Sequence, residues 1–366
     1  FAYGITIIQI KQDNMKKTRF TFTNACKALF IALAACALPL GFSSCGDDDG
    51  NGGGDPPGKG EVDNEVGDFD TPAYDEYAAK YEVTNEEGNG FRSIEFTESG
   101  NFIIVAKKGT ISFTEPEEAE AADVRQTAPA TRVSGWNLSH SAGEMRVGDI
   151  IYSVLSGPYT VKGENTYFLD GIGTVRVIHE GKTIYSIEIT PINDTAPRVL
   201  RSTLYEAKYL YSPKTVSLCR TWDLVHFRYY FIQDHRYVVD LEAPTYGELY
   251  YKIDQWQAEE DPEYEPDGTL ESYEANAPHR ILFSKFGTYV IFYNSGRMNL
   301  SSWSWADYAR GIIAYSRDNL FDGEGKDGNV TVWFRGNKTY VNEAHGYNNG
   351  LSSFEEGKEY TLQEVK

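Results

Sequence analysis

Residues 299–311 read NLSSWSWADYARG, and Trp303, Trp305 and Tyr308 within them have the types and spacing of a ligand site. Side chains two apart on a β-strand point to one face, so the two indoles should lie together with Tyr308 near the strand end. Small serines beside them would leave the rings accessible. Flat aromatic faces with Asp and Asn nearby suit carbohydrate, whose C–H faces stack on rings while its hydroxyls find polar partners. The same stripe is also what a β core uses, and more commonly so. A second aromatic group, Tyr246, Tyr250, Tyr251 and Trp256, precedes an acidic stretch.

Patterns for catalysis are missing. There is no G-x-S-x-G elbow, no H-E-x-x-H pair and no phosphate loop, and GIGT at Gly171 is an incomplete dinucleotide fingerprint in a strand context. The six histidines, His140, His179, His226, His235, His279 and His345, are scattered without metal-ligand spacing. His226 and His235 bracket a strand turn and read as surface or packing groups. Asp322, Glu324 and Asp327 offer oxygens for calcium but miss the EF-hand spacing. Acidic residues concentrate in stretches such as EEDPEYEPD, where solvated charge is expected rather than the fixed carboxylate pair of a glycosidase. The expectation is a protein that is not an enzyme, with no cofactor and no metal.

Composition narrows the partners. The chain has 366 residues, enough for about two domains with real cores. Its 26 tyrosines and 19 phenylalanines can fill those cores. A formal net charge of -20 argues against nucleic acid or a bare anionic bilayer as partner, because both repel an acidic surface. Of Cys26, Cys36, Cys45 and Cys219, three fall in or at the end of an N-terminal hydrophobic segment. Removal of that segment and modification of Cys45 would leave Cys219 alone, with no disulfide to form. Cys219, in SLCRTW, should behave as a small buried hydrophobe.

That N-terminal segment begins at Met15 with Lys16, Lys17 and Arg19, continues in an apolar run over 28–40, and ends in small residues before Cys45. This is the three-part layout of a secretory signal. A membrane-spanning helix needs about 20 apolar residues, and this run stops sooner, at Pro39 and Gly41. The sequence Phe42, Ser43, Ser44, Cys45 resembles a bacterial lipobox. That resemblance implies cleavage before Cys45 and lipidation of its thiol, and at ~0.8 kcal/mol per buried methylene several acyl chains would hold the protein on a membrane. GDDDGNGGGDPPG then reads as a flexible, acidic tether stiffened by Pro56 and Pro57. The acidic run directly after the cysteine resembles the surface-export signal of Bacteroidetes lipoproteins, which implies an outer-membrane protein facing the cell exterior. A plain spacer on a periplasm-facing lipoprotein is the alternative. The expected segments are 1–14 upstream translation, 15–44 signal peptide, and 45–69 lipidated cysteine and tether.

Beyond the tether the pattern is of short alternating strands. RSIEFTESGNFIIV and HRILFSKFGTYVIF share two apolar strands about a turn at Gly100 or Gly287. TVRVIHEGKTIYSIEIT and NVTVWFRGNKTYVNEA form a second matching pair, with turns at Glu180-Gly181 and Gly336-Asn337. DIIYSVLSGPYTV lies between the hairpins of one half and GIIAYSRDN between those of the other. The expected fold class is all-β, with two tandem antiparallel β-meander modules, each a barrel or a sandwich, over 70–197 and 215–366. Insertions near 114–135 and at the acidic stretch QAEEDPEYEPDGTLESYEANAP should stay outside the cores. Residues 198–214 read as a linker, with RSTLYEAKYLYS as a short helix stopped by Pro213. The Arg-Thr-Trp opening at Arg220, followed by successive hairpins, resembles the lipocalin-like and related β-meander domains of Bacteroidetes surface lipoproteins, over most of the second module and more weakly over the first.

The function expected from these features is a surface lipoprotein that binds an extracellular ligand, with carbohydrate first. Trp303, Trp305 and Tyr308 are its candidate contacts, and Cys45 its anchor to the membrane. A structural or protein-interaction component of the envelope is the alternative, and a secreted glycan hydrolase the third reading.

Overall fold

The computed structural model describes residues 66–85, 89–110, 142–147, 149–192, 196–206, 209–261, 263–316, 328–348 and 353–365. Cys45, the signal segment, the insertion at 114–135 and the carboxylates Asp322, Glu324 and Asp327 lie outside them. The described chain forms two tandem antiparallel barrels of eight strands each, so the open choice between barrel and sandwich resolves to barrel. Each barrel closes on itself, and one further strand in each, paired on one side only, extends the sheet.

The first barrel is built from β1 (Ala79–Val83), β2 (Phe91–Phe96), β3 (Asn101–Lys107), β5 (Ile150–Gly163), β6 (Thr166–Leu169), β7 (Gly173–His179), β8 (Ile184–Pro191) and β9 (Arg198–Leu204). Pairing of β3 with β5, from Asn101↔Pro158 to Lys107↔Tyr152, closes it. A further strand, β4 (Ala142–Val147), runs along the first half of β5. Period-two alternation sends Phe102, Ile104 and Ala106 of β3 inward, with Phe96, Leu155, Val175 and Ile187.

The second barrel repeats the plan with β10 (Thr221–Gln233), β12 (Pro278–Phe283), β13 (Thr288–Tyr293), β14 (Met298–Asp307), β15 (Ile312–Ser316), β16 (Gly328–Arg335), β17 (Lys338–Asn348) and β18 (Ser353–Glu364), closed by β10 against β18. From Phe227 onward β10 takes β11 (Arg236–Ala243) as its other neighbour. Helix α1 (Pro213–Leu218) precedes β10, and α2 (Tyr246–Glu260) and α3 (Leu270–Ala275) lie between β11 and β12.

Both hairpin pairs read from the sequence are present, and Gly100 and Gly287 turn at φ +76 and +78, a conformation that favours glycine. Three expectations are corrected. Residues 198–204 are not linker or helix but β9, whose Leu200 and Ser202 point inward at period two. The helix comes later, at α1, with Pro213 in its first turn, where a missing N–H costs nothing. β5, which contains most of DIIYSVLSGPYTV, matches β14 by position in the barrel, and β15, formed by Ile312–Ser316 of GIIAYSRDN, instead matches β6. The acidic stretch also enters the core, since Tyr273 and Ala277 are buried there.

The barrels meet through equivalent faces. Ile103 and Val105 of β3 and Tyr152 and Val154 of β5 point outward and pack on Leu282, Val290, Phe292, Met298 and Leu300 of β12, β13 and β14. The two matching turns touch as well: the Lys285 N–H donates to Glu98 Oε1 at 2.9 Å, and the two residues hold the same place in their hairpins, 187 positions apart. Lys80 Nζ donates to Thr288 Oγ1 at 3.0 Å, and that hydroxyl donates to Glu95 Oε2 at 2.7 Å. Lys285 Nζ pairs with Asp75 Oδ1 at 2.8 Å. Charged groups at a dry interface survive only when so partnered.

Candidate functional site: the interior of the second barrel

The floor of this barrel is made by α1 and the residues after it. Trp222 is fully buried and donates its indole N–H to Leu218 O at 2.8 Å. Arg220, 2% exposed, ties the end of α1 down: Nε donates to Ser217 O at 2.9 Å and Nη2 to Val216 O at 3.0 Å. Its Nη1 bonds Glu364 Oε1 at 2.6 Å. Carbonyls at a helix C-terminus need such donors. The segment before the first barrel also packs here. Phe69 lies edge-on to Trp222 at 5.3 Å and to Phe334 at 6.1 Å, with the Arg220 guanidinium 4.6 Å from its ring centre.

The residues expected to bind ligand belong to this floor. Trp303 and Trp305 do share a face of β14, with ring centres 5.6 Å apart, but that face is the barrel interior. Trp303 is 6% exposed, so the serines do not leave it open, and its N–H donates to Ser284 O at 3.0 Å. Trp305 is half-buried and donates to Thr215 Oγ1 at 2.8 Å, which fastens β14 to α1. Tyr308 stacks on Tyr209 at 5.1 Å, and its hydroxyl accepts from the Lys214 N–H at 3.3 Å. Cys219 is also fully buried here, where burial pushes its thiol up.

Above the floor is a cavity of about 50 Å³, walled among others by Trp303, Ile313, Tyr315, Val330, Val341 and Tyr360. Every lining residue is aliphatic or aromatic. A single water needs roughly 10–15 Å³ and polar partners, so an apolar chamber of this size suits a group of a few heavy atoms better than water.

The next layer is charged. Glu343 follows Val341 on the inward face of β17, opposite Lys358 of β18, and Lys358 in turn faces Tyr229 of β10. One rung further out His345 faces Glu356. Glu343 Oε1 accepts from the Tyr315 hydroxyl at 2.9 Å, and Glu356 Oε1 from the Tyr229 hydroxyl at 3.1 Å. Tyr315 can lie flat across its neighbour because that neighbour is Gly328, where a Cβ would sit 2.3 Å from the phenol oxygen.

Helix α2 covers this end. Thr245 caps it by accepting from the Glu248 N–H at 3.1 Å, and Tyr246, Leu249, Tyr250 and Ile253 turn one face into the barrel core. Thus the second aromatic group is partly interior: Tyr246 and Tyr250 are buried, while Tyr251 and Trp256 pack beside them. Asp254, 3% exposed, accepts from the Tyr264 hydroxyl and from the Asp267 N–H at 3.1 Å, which holds the chain between α2 and α3. Burial, together with nearby charge, holds the phenols of Tyr246, Tyr250 and Tyr360 well above their ordinary value.

Among the described residues no group of three His, Cys, Asp or Glu side chains is placed to hold a metal, and no helix is long and apolar enough to cross a membrane. His226, 43% exposed, meets Glu242 at 3.5 Å on the outer wall. Comparison with known protein families, curated proteins and solved structures finds no match to the chain.

Sequence reasoning missed the Glu343 layer and α2. The signal for α2 was present, in Thr245-x-x-Glu248 followed by apolar residues at 246, 249, 250 and 253.

Proposed function

We propose that this chain is a binding protein rather than an enzyme, and that its second barrel takes a small, largely apolar ligand in its interior. The observation that carries this reading is the apolar cavity of about 50 Å³ in the barrel interior, walled in part by Trp303, Tyr315 and Tyr360. Drug-sized ligands occupy roughly 300–1,000 Å³, so the ligand is a fragment of a few heavy atoms or a small moiety of something larger. Carbohydrate asks for open ring faces, and the buried, hydrogen-bonded indoles of Trp303 and Trp305 weigh against it at these residues.

The test is a titration of the protein with cyclopentane, read by carbon-13 methyl NMR. Saturable shifts are expected at Ile313, Val330 and Val341, with none at Ile104 or Ile187 inside the first barrel. Equal or absent shifts in the two barrels would end this reading. The sequence further supports display at an outer membrane through a lipidated Cys45, facing the cell exterior. Metabolic labelling with a radioactive fatty acid should mark the parent and not Cys45→Ser.

A further inference from the structure

Glu343 is 6% exposed, and its two oxygens are treated differently. Oε1 has the Tyr315 hydroxyl, while Oε2 is buried with no hydrogen-bond partner. Glu95 Oε1 and Glu98 Oε2 are also buried without a hydrogen-bond partner. What sets Glu343 apart is its surroundings, because Glu95 has the Lys80 ammonium at 3.6 Å and the Thr288 hydroxyl, and burial raises the Glu98 carboxyl to about 8. For Glu343 the one ion-pair contact among the described residues is His345 Nε2 at 3.8 Å, at the barrel's outer end. Lys358 stands opposite in register, yet its ammonium lies 5.6 Å from the centre of the Tyr250 ring rather than against the acid. A carboxylate with a free, desolvated oxygen is costly unless something completes it.

The tyrosines that feel the Glu343 charge indicate what would complete it. Tyr246 lies 4.6 Å from Tyr250 and 6.5 Å from Tyr360 between ring centres, and Tyr315 is bonded to the acid itself. Three of these rings, Tyr246, Tyr315 and Tyr360, also wall the apolar cavity. Ring faces attract cations through their quadrupole, and more strongly where water is excluded. The chain already lays one ammonium, that of Lys358, on this cage. An anion would be repelled by Glu343, and a hydrocarbon would leave Oε2 unsatisfied.

We infer that the ligand of the second barrel is a small organic ammonium, with its alkyl part in the cavity and its nitrogen between Glu343 Oε2 and the tyrosine rings. This rests on the reading of that interior as a ligand site. Lys358 is then a competitor within the chain for the same rings.

The protein is titrated by calorimetry with isobutylammonium, isobutanol, isobutyrate and cyclopentane. The ammonium should bind about tenfold tighter than the isosteric alcohol, with isobutyrate weakest. Glu343→Gln should bring ammonium and alcohol level, while cyclopentane in the same variant reports whether the cavity still forms. Lys358→Met should tighten the ammonium alone, which keeps the inference open to test if the Gln variant fails to fold. Cyclopentane binding without preference for the ammonium, or a preference that survives Glu343→Gln, overturns this inference and leaves the apolar site standing. No binding of either overturns both.

Discussion

Inside the first barrel Phe96 meets Tyr167 at 4.3 Å and Tyr159 at 5.2 Å, and Tyr74 closes over Tyr159 at 5.2 Å. At the corresponding depth of the second barrel Phe283, which holds the place of Phe96, walls a cavity instead, and the layer above it carries Glu343 and Lys358. The strand plans match and the fillings do not. A closed eight-strand wall leaves just enough room for side chains to fill or for one small ligand, so the difference between the two interiors lies in a handful of inward positions. The first barrel spends its face β3–β5 on bracing the second, and its interior is ring against ring.

The comparison can be tested most severely at the floor. Trp222→Ala should cost about 3–5 kcal/mol, measured by denaturant unfolding, and should raise hydrogen exchange in the second barrel first. A loss below about 1 kcal/mol would mean that the floor is not what holds that barrel closed.

The shared face gives the next effect, through Glu98. Its folded carboxyl is raised from the ordinary 4.5 to about 8, first by burial. Between those values the unfolded chain has lost this proton and the folded chain keeps it, so the group makes stability fall as pH rises across that window, by at most about 1.4 kcal/mol per pH unit. Glu98→Gln should flatten that slope, as read from melting temperature against pH. An unchanged slope would assign the titration elsewhere.

Phe69→Ala removes two edge-on ring contacts and the Arg220 stacking, and should cost about 1–3 kcal/mol in the second barrel alone. Exchange measured barrel by barrel would separate the two. The smallest effect is expected from Trp305→Phe, which keeps the ring and loses the bond to Thr215, for about 0.5–1.5 kcal/mol by thermal melting. A larger loss would make α1 more dependent on β14 than its contacts indicate.

Strands were legible where two signals agreed. In the hairpins at Gly100 and Gly287 period-two alternation ends at a glycine with positive φ, and both were readable. In RSTLYEAKYLYS, helix formers and a following Pro213 outweighed the alternation of Ser202 with the preceding Leu200, and tertiary pairing with β1 and β8 decided for a strand up to Leu204. The interior site was hidden for a different reason. In YVNEAHG, Val341, Glu343 and His345 share one face while Tyr340, Asn342 and Ala344 share the other, and hydrophobicity does not say that the face with the acid is the inner one. The Trp303 and Trp305 stripe was correctly placed on one face, but which side of the wall that face is on follows only from closure.

The position of Phe69 bears on how the molecule is made. Chains emerge N-terminus first, and domains commonly fold as units in that order. Phe69 is synthesised before the first barrel, yet its pocket needs Trp222 and Phe334, which emerge long after that barrel is complete. The first barrel can therefore close while its leading segment is still unattached, and the second cannot seal its floor until that segment folds back to meet it. Assembly ends with the early segment docking on the late one, so newly made protein should pass through a stage with its first barrel formed and its second still open at the base.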